Sequence, residues 1–147
     1  MTLPIIVVLE DQIARVEWLE KTFPDSEVRH SASVTKFLEL QKEAEQSGRL
    51  VLSILDHDLG MDQFKDEGDI IEAISTSEDS EGYTGLDAAK KMMTFKPVIV
   101  WSANTPAQIQ MLAVLRDRGI QACIIPIYDQ GSLKRVIGQL IKDAEEK

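Results

Sequence analysis

The sequence predicts an α/β protein whose parallel sheet is covered by helices on both faces, and three observations predict it. Strand-like and helix-like segments alternate five times along the 147 residues. The strand-like runs, of which LPIIVVL and LVLSIL are the clearest, are nearly continuous in apolar residues, as strands buried on both faces are. Parallel neighbours also need crossover connections, and the intervening helices supply them.

Leu3 to Leu9 is a β-branched run that reads as the first strand. Ile13 to Phe23 follows with Ile13, Val16, Leu19 and Phe23 at helical spacing, and Pro24 stops it. Glu27 to His30 is a weaker strand. Ser33 is placed as the N-cap of a helix running to about Ser47, with Val34, Phe37, Leu38 and Leu40 for burial and Gly48 as its stop. Leu50 to Leu55 is the third strand. Thr84-Gly85 opens a helix to about Thr94, whose inner face is expected to hold Leu86, Ala89 and Met93. Pro97 begins the strand PVIVW, where it costs no interior ladder bond. Thr105-Pro106 starts a helix with proline in its first turn, Ile109, Leu112, Ala113 and Leu115 as its apolar face and Gly119 as its end. Gln121 to Ile125 is the fifth strand, and Ser132 to about Ala144 the fifth helix. Periodicity alone does not order the strands.

The length suits one domain spanning residues 1–147. With 44% hydrophobic and 28% charged residues, and without a long apolar run or a basic leader, the chain is expected to be cytoplasmic and not to engage a membrane. The single cysteine, Cys123, lies in ACIIPI and is expected to be a buried structural thiol. The net charge of −9 is uneven: between Asp58 and Thr84 nine acids face one base, Lys65, so this stretch carries −8 by itself, most of it in an acidic insertion at about 61–84. Such a chain does not suit duplex DNA, which needs clustered Lys and Arg. It remains compatible with a small phosphorylated ligand held through a metal ion. Within the insertion, IIEAI at 70–74 suits a short helical lid, and a solvated loop is the plainer reading.

Ligands of open α/β sheets bind beyond the carboxyl ends of the strands. There the sequence places Glu10 and Asp11 after strand one, Asp56 and Asp58 after strand three, and Ser102 and Asn104 after strand four. Two carboxylates about 4 Å apart repel by roughly 4 kcal/mol at an effective dielectric of 20, so converging acids must either hold protons or share a cation. Short oxygen ligands favour Mg²⁺ or Mn²⁺ over Zn²⁺. Capping accounts for single acids, Asp11 at the first helix and Asp58 in a turn, but accounts less well for four acids at strand ends.

LEDQ at 9–12, SILDHDLG at 53–60, TGLDAA at 84–89 and IVWSA at 99–103 together resemble the receiver domain of response regulators, across essentially the whole chain. The resemblance implies a flavodoxin-like (βα)₅ fold in which Glu10 and Asp11 hold Mg²⁺, Asp56 accepts a phosphoryl group and Ser102 senses it. Two positions depart from the family. It expects a lysine before the proline of strand five, where this chain has Ile125-Pro126, and an aromatic switch residue where Ala122 stands. Losing the lysine removes a cation from the place where phosphoryl charge is compensated, which turns the expectation away from ordinary phosphorelay signalling.

LDHDLG, the following TG and WSAN resemble more specifically the receiver-like proteins proposed to process cyclic phosphates. That likeness implies a metal set of Glu10, Asp11 and Asp56, catalytic roles for Asp56, His57, Asp58 and Ser102, and a ligand contact at Asn104. A histidine can move a proton near neutral pH, although in an extended chain His57 points away from its two neighbours. Trp101 suits stacking on a base and, more simply, the core. Three alternatives stay open: a receiver phosphorylated at Asp56, a degenerate receiver that binds a signalling protein, and a Toprim-like nucleotidyl enzyme, which the low basic content and the missing glycine after Glu10 disfavour.

Overall fold

The computed structural model describes residues 3–57 and 84–146. Asp58, and with it the acidic stretch through residue 83, lies outside the described residues. Five strands form one parallel sheet: β1 (Ile5–Leu9), β2 (Glu27–Ser31), β3 (Leu50–Leu55), β4 (Val98–Val100) and β5 (Ala122–Ile124), in the order β2-β1-β3-β4-β5. The helices among the described residues are α1 (Ile13–Thr22), α2 (Val34–Gln46), α3 (Gly85–Lys91), α4 (Thr105–Asp117) and α5 (Gln130–Glu145). The alternation is as expected, and the strand order is that of the (βα)₅ flavodoxin-like architecture the resemblance implied.

Every side chain of β1 is buried, and successive residues serve opposite faces. Ile5, Val7 and Leu9 join a core with Phe37 of α2, Ala88 and Ala89 of α3, and Met111 and Leu115 of α4. Ile6 and Val8 join a second core with Leu19 of α1, Trp101, and Leu133 and Ile137 of α5. The sheet is thus sandwiched between α2, α3 and α4 on one face and α1 and α5 on the other. Sequential order reverses where β1 lies beside β3, and the crevice at their carboxyl ends is the switch point at which such sheets bind ligands.

The helix ends follow local chemistry. Ser33 caps α2 by accepting from Lys36 N, and Asp129 caps α5 by accepting from Ser132 N. Gly48 and Gly119 follow α2 and α4 at φ of 75° and 77°, conformations open to glycine at little cost.

Three inner faces differ from expectation. α3 ends at Lys91 rather than near Thr94, so Met92 is buried and Met93 is exposed. In α4, Ile109 and Ala113 face solvent while Ala107, Met111 and Leu115 are buried. Both stripes of α4 carry apolar residues at helical spacing, and the seat of the helix on the sheet selects between them. Ile13 of α1 is likewise exposed. Cys123 is half-buried rather than fully enclosed, and its burial raises the thiol pKa, which disfavours the reactive thiolate.

Candidate metal centre

Backbone bonds carry the sheet ladder past the strand ends and fix the register of the site. Glu10 N donates to Ser31 O at 3.0 Å, Asp56 N to Leu9 O at 3.0 Å and Trp101 N to Leu55 O at 2.9 Å. Residues far apart in sequence are therefore held side by side. Glu10 and Asp56 are almost wholly buried, at 1% and 3% exposure, and Asp11 is partly buried. Each of the three offers a carboxylate oxygen within 4.8 Å of the others.

Glu10 Oε2 accepts from the backbone N of Asp11 and of Gln12, at 3.1 and 3.3 Å. The N-cap of α1 is Gln12 and no side chain caps the helix, so Asp11 does not have the capping role that would have explained it without a ligand. Its Oδ1 is buried and accepts no hydrogen bond from any described residue. Burial, the negative charge of Asp56 and a hydrogen bond to it raise the pKa of Glu10 to about 8, against the pull of Arg15. Burial also raises the pKa of Asp56, opposed by hydrogen bonds from Glu10 and Ser102. At neutral pH Glu10 thus keeps its proton beside Asp56. The set fits a hard divalent cation: all three donors are carboxylates, two of them resist ionising together, and the third has an unused buried oxygen.

Arg15, on the first turn of α1, had not been singled out from the sequence. Its Nη1 lies 3.1 Å from Glu10 Oε1, 3.4 Å from Glu10 Oε2 and 3.5 Å from Asp56 Oδ2, and its guanidinium carbon is 5.9 Å from the centre of the Trp101 ring. The available signal was its position five residues after Glu10 at the start of a helix, and that meant little until β3 was known to lie beside β1.

Ser102 is buried beyond β4, near enough to Asp56 to oppose the rise of its pKa, and its Oγ accepts from Asn104 N at 3.2 Å. Asn104 uses Oδ1 to cap α4, accepting from Ala107 N at 3.0 Å. His57 is half-buried, and its carbonyl accepts from Gly85 N at 3.2 Å. A Cβ on Gly85 would lie 2.3 Å from Asp56 O, so the TG pair permits a close approach of α3 to the end of β3. Thr84 and Asp87 close a capping box beside it. Trp101 is a core residue, 1% exposed and 6.0 Å from Trp18 between ring centres. Ile125 is buried in the α1/α5 core, so the position where the resemblance expects lysine supplies no cation. A groove of about 1100 Å³ opens at the opposite end of the sheet, between Arg49, Phe95 and Leu140, and none of the site residues lines it.

The chain resembles receiver domains in three dimensions. It superposes on the signal receiver domain of a protein described as a Luxo repressor, from Vibrio parahaemolyticus, with a TM-score of 0.56 and 15% identity over 98% of this chain and 94% of that one. A response regulator receiver protein from Burkholderia phymatum gives a TM-score of 0.53 and 17% identity over 95% of each chain. No protein-family model matches the chain, and none of the curated proteins compared with it does. At these identities the likeness establishes the receiver fold.

Proposed function

We propose that this receiver-fold chain binds Mg²⁺ or Mn²⁺ through Glu10, Asp11 and Asp56 and uses it to act on a phosphoryl group, with cyclic phosphates and phosphoesters as the substrate class. The observation that carries the reading is the convergence of the three carboxylates at the switch point of the sheet. A divalent cation bound there would polarise a phosphoryl oxygen and offset the charge that develops as a P–O bond breaks. Ser102, whose proximity lowers the pKa of Asp56, borders the place a phosphoryl group would take. His57, next to Asp56, is proposed as the proton-transferring group, and Asn104 as a contact to the ligand at the start of α4. The motif LDHDLG and the missing strand-five lysine favour processing of a phosphate over ordinary relay signalling.

A second reading rests on Asp56 itself. A buried carboxylate at the end of β3, beside a serine hydroxyl and placed against a metal set, also suits a phosphoryl acceptor in a signalling receiver that passes its state to a protein partner. Calorimetric Mg²⁺ and Mn²⁺ titrations, repeated with beryllofluoride and with a 2′,3′-cyclic nucleotide, separate the readings. Metal-dependent binding and turnover of the cyclic nucleotide is the expected result. Metal-dependent binding of beryllofluoride alone selects the acceptor, and no metal binding overturns both in favour of a protein-interaction module.

A further inference from the structure

Three oxygens of the two most buried acids converge on one nitrogen. Arg15 Nη1 lies 3.1 and 3.4 Å from the two Glu10 oxygens and 3.5 Å from Asp56 Oδ2. A divalent cation bound at about 2.0–2.1 Å to those carboxylates would draw on the same lone pairs and would repel the guanidinium. The arginine is the most exposed of the three. Its side chain is 28% exposed, whereas those of Glu10 and Asp56 are 1% and 4% exposed, so the acids stay in place and the arginine has room to withdraw. In the paired state its guanidinium carbon also lies 5.9 Å from the centre of the Trp101 ring, a contact that holds a cation near an aromatic ring without consuming all its donors.

Resting on the metal-pocket reading, we infer that Arg15 is a resident counter-cation which the metal displaces and which then binds the oxyanion of the ligand at the mouth of the pocket. One side chain thereby plays two opposed parts. It competes with the metal while it pairs with the carboxylates, and it assists the anion once the metal has taken them. Guanidinium suits the second part because its planar donors match two oxygens of a phosphate at once. Metal and anion binding are therefore positively coupled: an anion that captures Arg15 stabilises the state in which the carboxylates are free for metal.

The test is a substitution that moves the two affinities in opposite directions. Mg²⁺ is titrated calorimetrically into wild type and Arg15→Gln in a buffer free of oxyanions, and orthophosphate is then titrated into each at saturating Mg²⁺ with backbone amide shifts as the readout. Removing the competing cation should tighten Mg²⁺ by about fivefold, and losing the bidentate donor should weaken phosphate by about tenfold. Arg15→Lys keeps a cation beside the two carboxylates and serves as the second variant should glutamine disturb the fold. It should follow wild type for the metal and fall between the two proteins for phosphate. Weaker or unchanged Mg²⁺ binding in Arg15→Gln would overturn the inference, as would unchanged phosphate affinity, or an Arg15→Lys protein that matches wild type for both ligands. If no version binds Mg²⁺, the metal pocket itself is wrong, an outcome distinct from equal binding by all three.

Discussion

Glu10 and Asp56 are costly residues for a free protein, because burial penalises both charges and the charge of Asp56 further penalises that of Glu10. Asp56→Asn should therefore weaken Mg²⁺ binding by about tenfold or more while raising metal-free stability by about 1 kcal/mol, read by calorimetry and by urea unfolding. Unchanged affinity and stability would count against a clustered-acid site. The pH dependence follows from Glu10, whose folded value of about 8 lies above the ordinary value of 4.5. Between those values the folded chain holds more protons than the unfolded one, so this residue makes stability fall as pH rises from about 4.5 to about 8 and no further beyond it. Metal-free unfolding across that window should show the decline, and saturating Mg²⁺ should flatten it. For the same reason, calorimetry in buffers of different ionisation enthalpy should detect proton release on Mg²⁺ binding near neutral pH and little release well above pH 8.

Among the elements, the junction of β3 with α3 is the most constrained. The Cβ of Gly85→Ala would meet Asp56 O at 2.3 Å and His57 Cα at 2.8 Å, both on backbone that cannot rotate away. The substitution should cost about 2–3 kcal/mol in urea unfolding and weaken Mg²⁺ binding as well, because it pushes on the residue that carries a ligand. Ser53, in the middle of β3, gives the opposite case. It is fully buried, and its Oγ finds no partner among the described residues. Ser53→Ala should leave metal binding unchanged and hold or raise stability by up to about 1 kcal/mol, since it removes an unsatisfied hydroxyl from an apolar layer. A large loss of stability there would mean that the hydroxyl has a structural role.

For the molecule as a whole, the pocket links folding to ligand binding. At a free Mg²⁺ concentration about 100 times its dissociation constant, binding to the folded state alone adds about 2.7 kcal/mol, roughly a 5–10 °C rise in Tm for a chain of this size. An unmoved Tm would contradict a preformed site. The receiver fold was legible in the chain because each layer has its own period: β1 and β3 are apolar on both faces, and Ser33, Gly48, Thr84 and Gly119 punctuate the helices where their chemistry predicts. Glu10, Asp11 and Asp56 were legible as site candidates because acids at strand ends are anomalous wherever those ends meet. The exposed stripe of α4 was misjudged because two apolar stripes share that helix, and local spacing cannot say which one the sheet will cover. Arg15 was missed for a related reason: its partner Asp56 is 41 residues away, across a strand order that periodicity does not encode. By itself, then, the sequence determined the elements, their two-faced burial and the identity of the acids, all of which follow from local residue chemistry. Only the tertiary structure decided which carboxylates share one pocket and which cation faces them, because that depends on the reversal of strand order that sets β1 beside β3.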